Sequence, residues 1–141
     1  MIFDTTIKDL LNSKLGELEA KLTADVVFYY GEIHSSLLRP FRDLIEELQK
    51  VSTAKRLAII LNTGGGSAEI AEKMVDITRF HYSEVYFVIP DFAMSAGTIF
   101  CMSGNKIYMD YSSSLGPIDP QSGMANNTCP LWAISIRSSS Y

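Results

Sequence analysis

The chain has 141 residues, 47% hydrophobic and 20% charged, with 12 basic against 16 acidic residues and a formal charge of −4. That balance fits one globular domain with an ordinary core, and no basic cluster is present to follow a phosphate backbone, so nucleic acid is not an expected partner. No stretch reaches the roughly 20 apolar residues of a transmembrane helix, the start lacks a signal-peptide pattern, and Cys101 and Cys129 have no metal-ligand spacing. A cytoplasmic protein with reduced thiols is predicted.

Along the chain, Ile7, Leu10, Leu11, Leu15, Leu18 and Leu22 recur at helical spacing behind Asp4, Thr5 and Thr6, any of which can cap. They predict an amphipathic helix within residues 1–23. "ADVVFYYGEI" is β-branched and aromatic and is bounded by Gly31, as a buried strand would be. Pro40 suits the first turn of a helix with Phe41, Leu44, Ile45, Leu48 and Val51 on its core face. His34 then falls in a loop.

"RLAIILNTGGGSAEIAEKMVDITRF" reads as a strand, a tight glycine turn and a helix with Ala71, Met74, Val75 and Thr78 inward. "EVYFVIP" is a further strand, "SAGTIFCMS" a short helix stopped by Gly104, and "KIYMD" another strand. Strands alternating with helices predict an α/β fold with a mainly parallel sheet. Ligand sites in such sheets lie beyond the carboxyl ends of the strands, which singles out two turns, "NTGGGS" and "FAMSAGT".

Three consecutive glycines mark a free backbone conformation or a close approach. Glu69 stands where the third glycine of a dinucleotide fingerprint belongs, and no Gly-Lys-Ser/Thr follows. A structural turn and an oxyanion hole, in which backbone amides stabilise a developing negative charge, are the better readings. The second turn comes close to the Gly-x-Ser-x-Gly nucleophile elbow, with Ala93 in place of the first glycine. Ser95 is either a nucleophile or a helix cap. An α/β-hydrolase triad needs a histidine after the serine, and both His34 and His81 precede it.

Taken together, "FYYGEI", "LNTGGG", "AMSAGT" and "SSSLGPIDPQ" resemble, in order, the core strand, oxyanion turn, nucleophile turn and site-closing segment of the Clp protease and crotonase superfamily. The resemblance is to its serine dehydrogenase proteinase branch, related to the signal peptide peptidase type. The match runs from about residue 24 to Gln121 and implies the superfamily's spiral of strand-strand-helix units, within a domain of residues 1–121 whose first 23 residues are the N-terminal helix. It also implies Ser95 as nucleophile and an oxyanion hole from Gly65, Gly66 and Ala96. Asp110 and Asp119 are minor auxiliary candidates that could orient or polarise a group at the site, and turn chemistry explains either as readily. Peptide or protein substrates and homo-oligomers of the full-length family member follow by the same resemblance, with no metal and no cofactor.

Two departures stand out. Gly64 replaces the usual proline, and the lysine that serves as base in related enzymes is missing. Lys106 is the only lysine after the serine, and a helix over 95–104 would carry it roughly 14 Å away at 1.5 Å per residue. Residues 122–141 read as an atypical tail, truncated or translated out of frame. Trp132-Ala133 must be encoded TGG-GCN, which yields glycine from the last base of the tryptophan codon, and suitable third bases give Pro-Ala-Leu-Gly-Tyr-Leu, like the family's continuation. The expected function is a serine peptidase-type hydrolase lacking its base. The alternatives are a crotonase-like coenzyme A thioester enzyme, against which the nucleophilic serine argues, and a non-catalytic assembly protein.

Overall fold

The computed structural model describes residues 2–117. A parallel sheet in the order β1-β2-β3-β5 forms its centre, built from β1 (Asp25–Tyr30), β2 (Arg56–Asn62), β3 (Glu84–Ile89) and β5 (Lys106–Met109). Helices α2 (Ser35–Val51), α3 (Ala68–His81) and α4 (Ala96–Met102) cover one face, and α1 (Ile2–Leu22) lies against the other. The class is the expected α/β fold with parallel pairing throughout.

The side-chain alternation of a strand divides the core in two. Val27 and Tyr29 of β1, Leu57, Ile59 and Leu61 of β2, and Val85, Phe87 and Ile89 of β3 face the three helices. There they meet Phe41, Ile45, Met74 and Phe100, and the Phe87 and Phe100 rings pack edge to face at 4.9 Å. Val26, Ala58, Ile60 and Tyr86 point the other way, toward Leu15, Leu18 and Leu22 of α1. Each fully buried aliphatic chain contributes roughly 1.5–3 kcal/mol through loss of water contact.

Several local expectations change. The first helix begins at Ile2, so Asp4, Thr5 and Thr6 lie inside its first turns rather than capping it. Only its carboxyl-terminal leucines reach the sheet, while Ile7, Leu10 and Leu11 are exposed. β1 is not buried throughout, because Phe28 and Tyr30 lie on the α1 face past the leucines and stay exposed, stacked 6.4 Å apart.

Pro40 sits inside α2, not in its first turn. His34, expected in a loop, is the N-cap: its Nδ1 accepts the Ser36 amide at 3.2 Å, which starts the helix five residues before the proline. Of that helix's predicted core face only Phe41 and Ile45 are buried, and Leu44 and Val51 face water. On α3 Ile70 joins Ala71, Met74 and Thr78 on the buried face, Val75 is half-buried against the core, and Lys73 pairs with Glu69 at 2.8 Å.

Two strands had no counterpart in the sequence reading. β4 (Phe92–Ala93) and β6 (Ser114–Leu115) pair in parallel as a small second sheet. A bridge between Thr63 and Ala93 joins it to the end of β2. That junction carries the candidate site.

Candidate active site

The glycine turn leaves the end of β2 and delivers the chain to Ser67, whose Oγ accepts the Ile70 amide and caps α3. Gly65 and Gly66 have φ of 108° and 138°, a region that L side chains rarely adopt. Space also demands glycine. A Cβ on Gly66 would lie 2.2 Å from the Ile33 carbonyl oxygen, and one on Gly65 would lie 2.9 Å from both Met94 O and Ser95 Cβ. The glycine turn and the serine turn are therefore in direct contact.

Thr63 holds the two together. Its amide donates to Phe92 O at 3.2 Å, and its carbonyl accepts the Met94 amide at 3.0 Å. Its Oγ1 accepts the Gly65 amide at 3.0 Å, and the residue is buried. Gly97 passes so close that a Cβ there would stand 2.3 Å from Thr63 Cγ2. The glycine of "AMSAGT" is thus required by packing against this threonine. On the far side, Thr98 Oγ1 lies 3.0 Å from Ala93 O and 2.9 Å from Gly116 O, tying α4 to both short strands.

Ser95 itself has φ 52° and ψ −117° and makes no side-chain capping bond. Backbone in that region costs an L residue about 1–3 kcal/mol and persists only where the surroundings impose it. The cap alternative therefore loses its physical basis, since a cap works through its side-chain oxygen and has extended backbone. Among the described residues the Ser95 hydroxyl has no partner, and neither do the amides of Gly66 and Ala96. The Gly65 amide, by contrast, is held on Thr63.

The remaining polar candidates are engaged elsewhere. His34 caps α2, and His81 closes α3 with its ring edge-on to Phe80 at 5.0 Å. Lys106 lies on β5 with its ammonium 5.3 Å from the centre of the Tyr86 ring. Asp110 accepts bonds from the Ser112 hydroxyl and amide and the Ser113 amide in the turn after β5, and these hold its carboxyl below the usual range. Cys101 is a buried free thiol pushed up to about 12 by burial. Asp119, Cys129 and the tail 122–141 lie outside the described residues. Among the described residues no three acidic, histidine or cysteine side chains gather as a metal would need, and no helix is long and apolar enough to cross a membrane.

Sequence reasoning missed Thr63 and Thr98 as the residues that position the site. Both hydroxyls act across the chain fold, and only the strand-ending threonine before three glycines offered a local signal.

A parallel α/β sheet with its serine turn pressed against a glycine turn is the architecture of the Clp-type serine proteases. The chain belongs to the ClpP-like SDH-type serine proteinase family, whose model matches residues 41–137. Two uncharacterised proteins of Methanocaldococcus jannaschii, MJ0137 and MJ1495, are each 31% identical over 81 and 86 residues, 57% and 56% of this chain. The match spans only 28% and 30% of their own lengths.

Among solved structures, the 1510-N membrane-bound stomatin-specific protease, in a lysine variant complexed with a substrate peptide, is 26% identical with a TM-score of 0.57, over 64% of this chain and 42% of that one. ClpP1 from Listeria monocytogenes shares the fold at 19% identity and a TM-score of 0.56, over 70% and 62%.

Proposed function

We propose that the chain carries the nucleophile and oxyanion half of a serine peptidase-type site. The observation that supports this most is the Ser95 backbone at φ 52°, strained, uncapped and in contact with the glycine turn. In this reading Ser95 Oγ attacks a peptide carbonyl, and the tetrahedral oxyanion is received by the Ala96 amide and the glycine turn. Gly65 is the nearer glycine, since it abuts Ser95 whereas Gly66 abuts Ile33. Its amide must first leave Thr63 Oγ1.

Family membership and the peptide complex of the 1510-N protease support a peptide or protein substrate. The activity, partners and oligomeric state of the whole protein belong to this proposal, because the chain spans well under two thirds of its curated relatives. The general base is the missing part. A serine hydroxyl is a weak nucleophile until a neighbour takes its proton, and loss of the base costs several powers of ten in rate. No lysine follows Lys106 in the sequence, and both histidines have other partners.

The 141-residue chain is therefore expected to label slowly with a fluorophosphonate at Ser95, and to hydrolyse casein or peptide esters barely above Ser95→Ala. Reading the gene in the alternate frame beyond Thr128, which would supply a downstream lysine, should raise both signals, and Ser95→Ala should abolish the gain. Absence of Ser95 labelling in either product would remove the hydrolase reading. Robust turnover by the short chain would point to an overlooked base, with Lys73 and His34 the next to mutate.

A further inference from the structure

Beside the glycine turn lies a cleft of about 400 Å³, with Gly64, Gly65, Tyr30, Phe92, Glu32 and Asn62 among its lining. Among the described residues Glu32 is the only charged one that lines it. Among the described residues that carboxylate enters no ion pair. Its backbone is fixed on every side. Tyr29 donates its hydroxyl to Glu32 O at 2.8 Å, the Gly31 amide donates to Asn62 O at 3.1 Å, and the Ile33 amide donates to Gly65 O at 2.8 Å. The loop that carries the carboxylate is thereby zipped onto the same glycine that touches Ser95.

We propose that this cleft is a pocket for a basic side chain of the peptide substrate, with Glu32 as its specificity-determining residue. The inference rests on the peptide-hydrolase reading of Ser95. A lysine or arginine is an apolar stem with a charged head. The stem lies along Tyr30 and Phe92, whose ring faces also attract a cation, and the head meets the unpaired carboxylate. An acidic side chain in the same place would face Glu32 with no cation to offset the repulsion.

The test measures binding rather than turnover, so it does not depend on the missing base. Fluorescein-labelled host peptides carrying one Lys, norleucine or Glu, walked along the peptide, are titrated by anisotropy into the full chain bearing Ser95→Ala. In at least one register Lys should bind about fivefold tighter than norleucine, the upper end for a water-exposed ion pair, and Glu should bind more weakly than either. Glu32→Gln should erase the preference and Glu32→Lys should invert it. In 1 M salt, where the screening length falls to about 3 Å, the preference should collapse.

Equal binding of the three peptides in every register, or an unchanged preference in Glu32→Lys, would overturn the pocket assignment and leave the hydrolase reading standing. If no peptide binds, the pocket assignment falls, and fluorophosphonate labelling of the unmodified chain decides whether the hydrolase reading falls with it. Glu32 is exposed, so both variants should fold, which matching melting temperatures would confirm.

Discussion

Ser95 provides a stability experiment that needs no catalysis. Compare Ser95→Ala with Ser95→Gly: both lose the hydroxyl, and only alanine keeps a Cβ at φ 52° and ψ −117°. Relief of that backbone strain favours the glycine variant by about 1–3 kcal/mol. Glycine also gives back roughly 0.4–1 kcal/mol through the greater freedom of its unfolded chain. The net expectation is that Ser95→Gly is more stable than Ser95→Ala by about 1–2 kcal/mol. Urea titration followed by circular dichroism reads the difference as a shift of midpoint at unchanged slope. If Ser95→Gly proved equal to or less stable than Ser95→Ala, the turn would be unstrained, and the argument that Ser95 is held in place for its hydroxyl would lose its footing.

Thr98→Val should cost about 1–3 kcal/mol, since the Gly116 carbonyl would lose its buried hydroxyl donor while Ala93 O keeps the Gly116 amide; a smaller loss in a denaturant titration would mean that water reaches the Gly116 carbonyl. Ile60→Ala should cost about 2–5 kcal/mol, whereas Phe28→Ala on the same sheet face, where the ring is 56% exposed, should stay within about 1 kcal/mol. Cys101 should resist iodoacetamide at pH 8 in the native protein and react in urea, as mapped by mass spectrometry. Because burial raises this thiol from 9.0 to about 12, the folded state holds the proton that the unfolded state releases. Its contribution to stability is complete below pH 9 and declines as pH rises toward 12.

The long elements could be read because burial writes a period into them. β2 is buried along almost its whole length, and the inward face of α3 repeats at helical spacing. Strands of two residues have no period to detect, which is why β4 and β6 escaped notice. Their existence depends on hydrogen bonds to residues far along the chain, such as Ser114 N–H to Asp91 O at 2.9 Å. The start of α2 was misplaced for a similar reason: Pro40 is a strong local signal, and the His34 cap that overrides it is a weak one. At the site, the glycines and small residues were conspicuous in sequence, but what they make room for was not. Thr63 and Ile33 are ordinary letters until the fold brings Gly97 and Gly66 against them.

Thr63 also separates the two glycines that could serve an oxyanion. Its hydroxyl competes with any oxyanion for the Gly65 amide, 3.0 Å away, and a hydrogen bond of this kind is worth about 0.5–1.5 kcal/mol net. Thr63→Val keeps the shape and the methyl packed near Gly97 while removing that acceptor. The resting protein should then lose about 1–2 kcal/mol of stability, because a buried donor is left without a partner. If the freed Gly65 amide receives the oxyanion, fluorophosphonate labelling of Ser95 should quicken by roughly three- to tenfold, the same energy expressed as a rate. Both quantities can be measured on one preparation, with intact mass spectrometry following the label and urea titration following the fold. A folded Thr63→Val protein that labels no faster than the parent would assign the oxyanion to Gly66, whose amide is already without an acceptor among the described residues. The Thr63 hydroxyl would then be a clasp for the glycine turn and no part of the chemistry.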